Sequence, residues 1–183
     1  MTKIGLNEKL EAASSIYLIE KKEDLPTDVC TSKELDYISQ TLKDDFNYAV
    51  VNQYDRQLVI VKVANENSYQ NIEKARKAGA KILGVLNGAK VESAEIIRAN
   101  ASDAYLVAVA EGMALANYQF LKYFKDADKK RNTLNTINIV SDSIDQQNVN
   151  ELIAGVEANS WAKDMVNEPL SYLTATELAN QIV

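Results

Sequence analysis

A run of four consecutive apolar residues, Leu58 to Val61, constrains the fold of this chain more than any other feature. A strand that is apolar on both sides needs cover on both sides, which is the situation of a central strand in an α/β sheet. We therefore expect Leu58–Val61 to lie inside a sheet that carries helices on both faces.

Strands and helices alternate along the rest of the chain, about five of each, and this favours a single layered α/β fold with a mixed sheet. Repeats, low-complexity segments and Gly/Ser linkers are absent from the sequence. The predicted strands are 14–20, 47–53, 56–63, 91–97 and 134–141, and the predicted helices are 31–43, 67–87, 102–124, 149–167 and a short one after Thr174.

Helix starts are marked by a hydroxyl or amide residue followed three positions later by Glu, the spacing of a capping box. The pairs with this spacing are Thr31 and Glu34, Asn148 and Glu151, and Thr174 and Glu177. Gly79 lies inside a predicted helix at a cost of about 1 kcal/mol relative to Ala, and we attribute it to close packing of that helix on the sheet. Pro169 is expected to end the long helix before it.

The chain contains no histidine, which excludes Ser-His-Asp and Cys-His catalysis and every His-ligated metal site within it. Its single cysteine, Cys30, has no histidine to lower its pKa, so we interpret it as a structural residue. The six glycines are scattered, whereas a phosphate-binding loop needs clustered glycines before a helix. Nucleotide binding is therefore disfavoured.

The net charge of −6 and the pI of about 4.8 disfavour a general nucleic-acid or anionic-membrane surface. No signal peptide or membrane-spanning run is recognisable, and we expect a cytoplasmic protein. Acidic residues cluster at 20–24 and at 44–45, in predicted turns, where a solvated surface is the favoured interpretation over acid–base chemistry. Trp161 is expected to pack on its own domain, with an interface anchor as the alternative.

The segment WAKDMVNEPLSYLTATELA, from Trp161 to Ala179, carries a recognisable pattern. It resembles the segment that joins the two domains of the leucyl aminopeptidase family, approximately A-R-D-L-V-N-x-P-x-N-x-x-T-P-x-x-L-A. The matching residues are Ala162, Asp164, Val166, Asn167, Pro169, Thr174, Leu178 and Ala179. Lys163, Met165, Ser171 and Ala175 stand where the family has Arg, Leu, Asn and Pro.

A second segment, VAEGMALANYQFLKYF from Val109 to Phe124, resembles the family's A-E-G-x-x-L-x-x-Y-x-F-x-x-Y helix. The corresponding residues are Glu111, Gly112, Leu115, Tyr118, Phe120 and Tyr123. The segment EKARKAGAKIL is similar to the Arg/Ala-rich helix upstream of it. The resemblance thus follows most of the chain in order.

This resemblance implies an N-terminal α/β domain, similar to macro domains, that carries no catalytic residue. In the family, two divalent metals (Mn, Zn or Mg) are bound by Asp, Glu and Lys side chains of a C-terminal catalytic domain. The family signature N-T-D-A-E-G-R-L does not occur here. The resemblance therefore implies no catalytic, cofactor-binding or metal-binding residue in this chain.

The implied parent protein is a cytosolic metal-dependent aminopeptidase that releases N-terminal amino acids from peptides as a homo-hexamer. We expect residues 1–166 to form its non-catalytic domain, and residues 167–183 to form the joining segment and the start of the catalytic domain. The helix that begins at Thr174 is too short to be stable in water without a packing partner, which favours an excised domain. The alternative is a free-standing macro-like interaction or assembly module without peptidase activity.

Overall fold

The computed structural model describes residues 2–7 and 14–182 and contains a six-stranded sheet in the order β1-β6-β5-β2-β4-β3. All neighbouring strands are parallel except the β3–β4 pair, which is antiparallel. The predicted mixed sheet is therefore confirmed. The strands are β1 Lys3–Asn7, β2 Ser14–Ile19, β3 Tyr48–Asn52, β4 Gln57–Lys62, β5 Ser93–Arg98 and β6 Thr136–Val140.

Helices cover both faces of this sheet, and the alternation of side chains along β2 shows how. Ile16 and Leu18 belong to the larger core, which packs against helices α2, α3 and α5, whereas Tyr17 and Ile19 belong to a smaller core under α1. The run from Leu58 to Val61 is fully buried in β4, as predicted for a central strand. The helices are α1 Ser32–Thr41, α2 Tyr69–Gly88, α3 Asp103–Ala116, α4 Ala127–Lys130, α5 Gln146–Asn167 and α6 Ala175–Ile182.

Two of the three predicted capping boxes mark helix starts correctly. The Thr31 amide donates to Glu34 at 2.6 Å, and the Glu34 amide donates back to the Thr31 hydroxyl at 3.4 Å. The prediction that Asn148 caps α5 is wrong. Asp145 is the cap, and its carboxylate accepts a hydrogen bond from the Asn148 amide at 2.8 Å, so α5 begins three residues earlier than predicted.

Strand β1 was not predicted, and the helix predicted for 102–124 is too long. Only Ile4 and Leu6 of β1 are apolar, and they pack at the edge of the larger core beside β6. Helix α3 ends at Ala116 because the side chain of the next residue, Asn117, donates to the Thr2 hydroxyl and to the Leu134 carbonyl, both at 2.7 Å. These are tertiary contacts, which helical periodicity does not predict.

Helices α2 and α3 touch through their backbones. A Cβ atom added to Gly79 would lie 2.3 Å from the Val109 carbonyl oxygen, and one added to Gly112 would lie 1.9 Å from the Arg76 carbonyl oxygen. Gly79 is therefore required by close packing on α3, and the prediction that it packs on the sheet is wrong. Each helix places a glycine where its partner presents main chain, and neither carbonyl can retreat without moving its helix.

We expect Gly79→Ala and Gly112→Ala each to lower the free energy of unfolding by about 3 kcal/mol, the upper end of the usual cost of overpacking. Gly84→Ala is the matched control, because a Cβ at Gly84 in α2 meets no heavy atom within 4 Å. It should raise stability by about 0.5–1 kcal/mol, since Ala is the better helix former. Urea denaturation checks all three variants, and equal stability of Gly79→Ala and the original chain would contradict the backbone contact.

Candidate functional site

The carboxyl ends of the parallel strands, where α/β proteins commonly bind ligands, carry polar residues that bond to one another. The Asn100 amide donates to the Asp24 carboxylate at 2.6 Å, which joins the turn after β2 to the turn after β5. Arg98, the last residue of β5, forms an ion pair of 2.8 Å with Asp103 at the start of α3. Within residues 2–7 and 14–182, no group of three or more acidic or cysteine side chains is placed to hold a metal ion.

Cys30 does not have the environment of a nucleophile. It is a free, half-buried thiol, and burial raises its pKa, with the nearby Glu34 carboxylate acting in the same direction. A raised pKa keeps the thiol protonated, whereas a nucleophilic cysteine needs a lowered one. The acidic residues predicted to be solvated include Asp45, which forms an exposed ion pair of 2.9 Å with Lys62.

The segment that follows α5 is built as a capped turn leading into a short helix. After Pro169, whose carbonyl accepts the Tyr172 amide at 2.8 Å, the Thr174 hydroxyl accepts the Glu177 amide at 3.2 Å. Thr174 therefore caps α6, and the prediction of this cap is confirmed. Pro169 lies just after the end of α5 and Thr174 just before the start of α6, so one helix ends and the next begins within a few residues.

Hydrogen bonds to Glu168, just after α5, connect the end of this helix to the segment that follows α3. The Lys122 ammonium donates to both Glu168 oxygens, at 2.9 and 3.0 Å, and the Tyr123 hydroxyl also donates to Glu168. The Tyr123 ring packs on the Tyr172 ring with 5.6 Å between centroids. We call the cluster of Lys122, Tyr123, Glu168 and Tyr172 the clasp. Hydrogen bonds from Tyr123, which has the larger effect, and from Lys122 hold the pKa of the Glu168 carboxyl below its usual range.

One turn earlier, a second set of contacts joins the same two segments. The Tyr118 hydroxyl donates to Asp164 at 2.7 Å and accepts from the Asn167 amide at 3.3 Å. The Lys163 ammonium donates to the carbonyl of Leu115, in the last turn of α3, at 3.3 Å. Charged and phenolic groups hold the C-terminal half of α5 against the segment after α3, and no side chain of α5 beyond Val156 is fully buried.

Apolar side chains project from this region into solvent. Leu170 is 88% exposed and Trp161 is 43% exposed. Trp161 lines the same cavity as Glu168, and Tyr172 packs on Tyr123 of the clasp. We call these two side chains, together with Leu170, which lies between them in the chain, the joint patch. Exposed apolar groups that gather on one surface mark interaction sites, whereas scattered ones do not. Trp161 lines a cavity with Phe120 and Leu121 of its own domain and is 43% exposed, so packing on its own domain and an interface role both stay predictions.

Comparisons with known proteins agree with this geometry. No protein-family profile matches the chain. A probable cytosol aminopeptidase from Clostridium perfringens (strain 13 / Type A) is 25% identical over 94% of this chain, which covers 34% of that protein. The fold is similar to those of a mutant tomato leucine aminopeptidase (TM-score 0.67, 12% identity, 100% of this chain and 41% of that one) and of the bottromycin maturation enzyme BotP in complex with Mn (TM-score 0.66, 18% identity, 93% and 35%).

The chain is similar to the N-terminal part of leucyl aminopeptidases in sequence and in fold. The leucyl aminopeptidase of Leishmania major, solved in complex with actinonin, has the same fold over 98% of this chain and 38% of its own length, with a TM-score of 0.64 and 13% identity. The chain thus spans about a third of the curated relative that it matches. The resemblance to leucyl aminopeptidases is confirmed.

The two segments that carry the leucyl aminopeptidase pattern are those that bond to each other here. Asp164 and Asn167 of the joining segment contact Tyr118 of the second segment, and Glu168 contacts Tyr123. The two segments that carry the resemblance therefore form one structural unit in this fold. The bonded residues are 45 to 49 positions apart in the chain, so local periodicity does not predict this contact.

Tyr123→Phe should raise the pKa of Glu168 towards the value of about 4.3 of a free glutamate, because the main donor to its charged form is removed. The folded-state pKa lies below the unfolded value, so the clasp contributes stability above about pH 4.3 and loses it as pH falls through the folded value. A carbon NMR titration of the Glu168 carboxyl measures the shift.

Phe124→Leu is the control for this titration, since the neighbouring ring has no hydrogen-bond donor. It should leave the Glu168 titration in place. An unchanged titration in Tyr123→Phe would show that the phenol does not bond to this carboxylate in solution.

Proposed function

We propose that this chain is the non-catalytic N-terminal domain of a metal-dependent leucyl aminopeptidase that releases N-terminal amino acids from peptides. The observation that carries the proposal is the match to the N-terminal third of a probable cytosol aminopeptidase, together with the contact between the two family segments. The family's catalytic signature is absent from this sequence.

In this proposal, the role of the domain is to hold its own catalytic domain in position. The clasp and the Tyr118 contacts fix the direction in which the chain leaves the domain. The joint patch supplies apolar surface for the catalytic domain to cover, and burial of such surface contributes about 25 cal/mol per Å². Trp and Tyr are enriched among the residues that dominate binding energy, and the joint patch holds Trp161 and Tyr172.

The chemistry of the proposed enzyme belongs to the catalytic domain. We propose that it holds two divalent metals, Mn, Zn or Mg, which bind the substrate's amino group and carbonyl and activate a water molecule. BotP, one of the structural neighbours, was solved with Mn. We further propose a homo-hexamer in the cytoplasm. Among the described residues, no helix combines the length and hydrophobicity that a membrane span requires.

The full-length gene product should hydrolyse a leucyl chromogenic substrate in the presence of Mn²⁺, lose this activity with a chelator and regain it when metal is restored. The present 183-residue chain is the matched control and should show no metal-dependent turnover. Turnover by the control that survives repurification would contradict a non-catalytic domain. A gene product without peptidase activity, or without a second domain, would favour the free-standing interaction module.

The role of the joint patch is tested by Trp161→Ala and Leu170→Ala in the full-length gene product. Each should lower the midpoint of thermal unfolding by about 2–4 °C, the effect of about 1 kcal/mol in a large domain. In the present chain, Leu170→Ala should leave the midpoint nearly unchanged, because Leu170 is 88% exposed. Trp161→Ala should lower it by less than in the full-length gene product, because 43% of Trp161 is exposed here. Tyr69→Ala, at an 82% exposed position in α2, is the control. Equal midpoints for all three variants would remove the joint patch from the interdomain contact.

A further inference from the structure

Strand β3 is one edge of the sheet, and β4 is its only neighbouring strand. At the end of β3 the Gln53 amide donates to the Arg56 carbonyl at 3.0 Å, which makes Gln53 a residue that bonds towards β4. Alternate residues of an antiparallel strand bond to the same side. The N–H and C=O groups of Tyr48, Val50 and Asn52 therefore point away from the sheet, and among residues 2–7 and 14–182 they have no hydrogen-bond partner.

The sequence of β3 does not protect this edge from pairing. Edge strands of natural proteins usually carry a charged side chain, a proline or a bulge that prevents another strand from adding to them. The sequence of β3, YAVVN, contains no charge and no proline, and its register with β4 is regular along its whole length. Five residues is a usual strand length. A row of outward N–H and C=O groups of this kind binds another extended chain.

The outward groups of β3 are complementary to those of a second β3. When two copies run antiparallel with Val50 opposite Val50, Tyr48 of each copy lies opposite Asn52 of the other. Each of these three pairs of residues exchanges two main-chain bonds, so all the outward groups of both copies are satisfied. A shift by two residues leaves one outward residue of each copy without a partner. The strand therefore fits itself about a two-fold axis at Val50, as an isologous contact requires.

The turn that follows β3 holds an exposed aromatic side chain. Tyr54 is fully exposed, and its backbone is left-handed, with a φ of 66°. This region suits glycine and is an outlier for a bulky residue. In the isolated chain, Tyr54 therefore adds backbone strain without contributing side-chain packing. Antiparallel pairing brings Tyr54 of each copy beside the start of the other copy's β3, where Phe46 is only half-buried.

The size of this contact indicates a weak association. A stable interface buries about 1,200–2,000 Å² and carries about ten hydrogen bonds, and two five-residue strands supply fewer. The side chains of Tyr48 and Val50 are already half-buried against the larger core, so they add little new apolar area. The contact therefore belongs to the class of transient interfaces, and it fills only at high protein concentration.

We propose that β3 is a self-association site, at which a second copy of this chain adds its own β3 in antiparallel orientation and extends the sheet across both copies. Main-chain hydrogen bonds between Tyr48, Val50 and Asn52 hold the pair, and Tyr54 covers the partner's Phe46. The proposed function places its contacts at the end of α5 and uses none of these residues. Self-association through β3 is therefore independent of it.

The test follows the oligomeric state and the amide hydrogen exchange of the present chain up to a concentration of about 1 mM, the limit of weak association. Analytical ultracentrifugation should show a monomer–dimer equilibrium, and the amides of Tyr48, Val50 and Asn52 should exchange more slowly as the dimer fills. The amides of Ala49 and Val51, which bond to β4, are the internal control and should be protected at every concentration. A monomer at all concentrations, or a dimer whose outward amides exchange as fast as those of the monomer, would overturn the proposal.

Charge variants of Val50 test the register, because this residue meets its own copy at the two-fold axis. Val50→Lys and Val50→Glu each place like charges opposite one another, and each should weaken the dimer about tenfold. An equal mixture of the two variants should restore the dimer, since Lys then faces Glu. Dimerisation of Val50→Lys as strong as that of the original chain, or no recovery in a mixture of variants that still unfold cooperatively, would contradict this register.

Tyr54→Gly separates the contact from the local strain. It should raise the midpoint of thermal unfolding of the monomer, because glycine adopts the left-handed backbone without strain, and it should weaken the dimer severalfold. Tyr69→Ala, at an 82% exposed position of α2, is the matched control and should leave the dimer unchanged. A dimer unaffected by Tyr54→Gly would remove Tyr54 from the contact.

Discussion

The backbone contact between α2 and α3 determines the arrangement of the whole helical layer over the larger core. Gly79 and Gly112 lie where any side chain would collide with the main chain of the partner helix. Because main-chain atoms cannot adopt another rotamer, this contact fixes both the distance and the relative position of the two helices. The ion pair of Arg76 with Glu111 lies beside it and depends on the same alignment.

Two features of the molecule follow from that alignment. On the outer side of α3, the space up to α5 forms a groove lined by Arg76 of α2, Val107 of α3 and Gly155 of α5. At the far end of α3, the chain leaves towards the C-terminal half of α5, where Tyr118 and the clasp hold it. Polar contacts of this exposed kind contribute little to global stability. Their role is to orient the segment that follows α5.

The sequence predicts the sheet well because its strands are encoded locally. The run from Leu58 to Val61 is apolar on both sides, and this pattern predicts a strand inside a sheet that is covered on both faces. All four residues are buried in β4. The capping box at Thr31 is also local and is confirmed. Strand β1 was missed because an edge strand with two apolar residues carries too weak a pattern.

What the sequence does not predict depends on contacts between distant segments. Asn117 ends α3 through bonds to Thr2 and Leu134, and the reason for Gly79 lies 30 residues away, at Val109. Both family segments are recognisable in the sequence. The contact between them, through Tyr118 and Tyr123 of the second segment, is not predicted by the sequence. The groove has no local signature. The sequence shows only that α3 is apolar on nearly all sides.

Helix α5 connects the groove beside α3 with the polar contacts at its own C-terminal end. Its first half forms one wall of the groove, through Glu151 and Gly155, and its second half carries Asp164 and Asn167 at the joint. Gly155 and Asp164 are nine residues apart, about 13 Å along one uninterrupted helix. A ligand shifts a conformational equilibrium only by the difference in its affinity for the two states. Any ligand that binds to α5 therefore affects these contacts only to the extent that it displaces α5 relative to α3. The Lys163 bond to the Leu115 carbonyl resists that displacement, because it ties α5 to the last turn of α3.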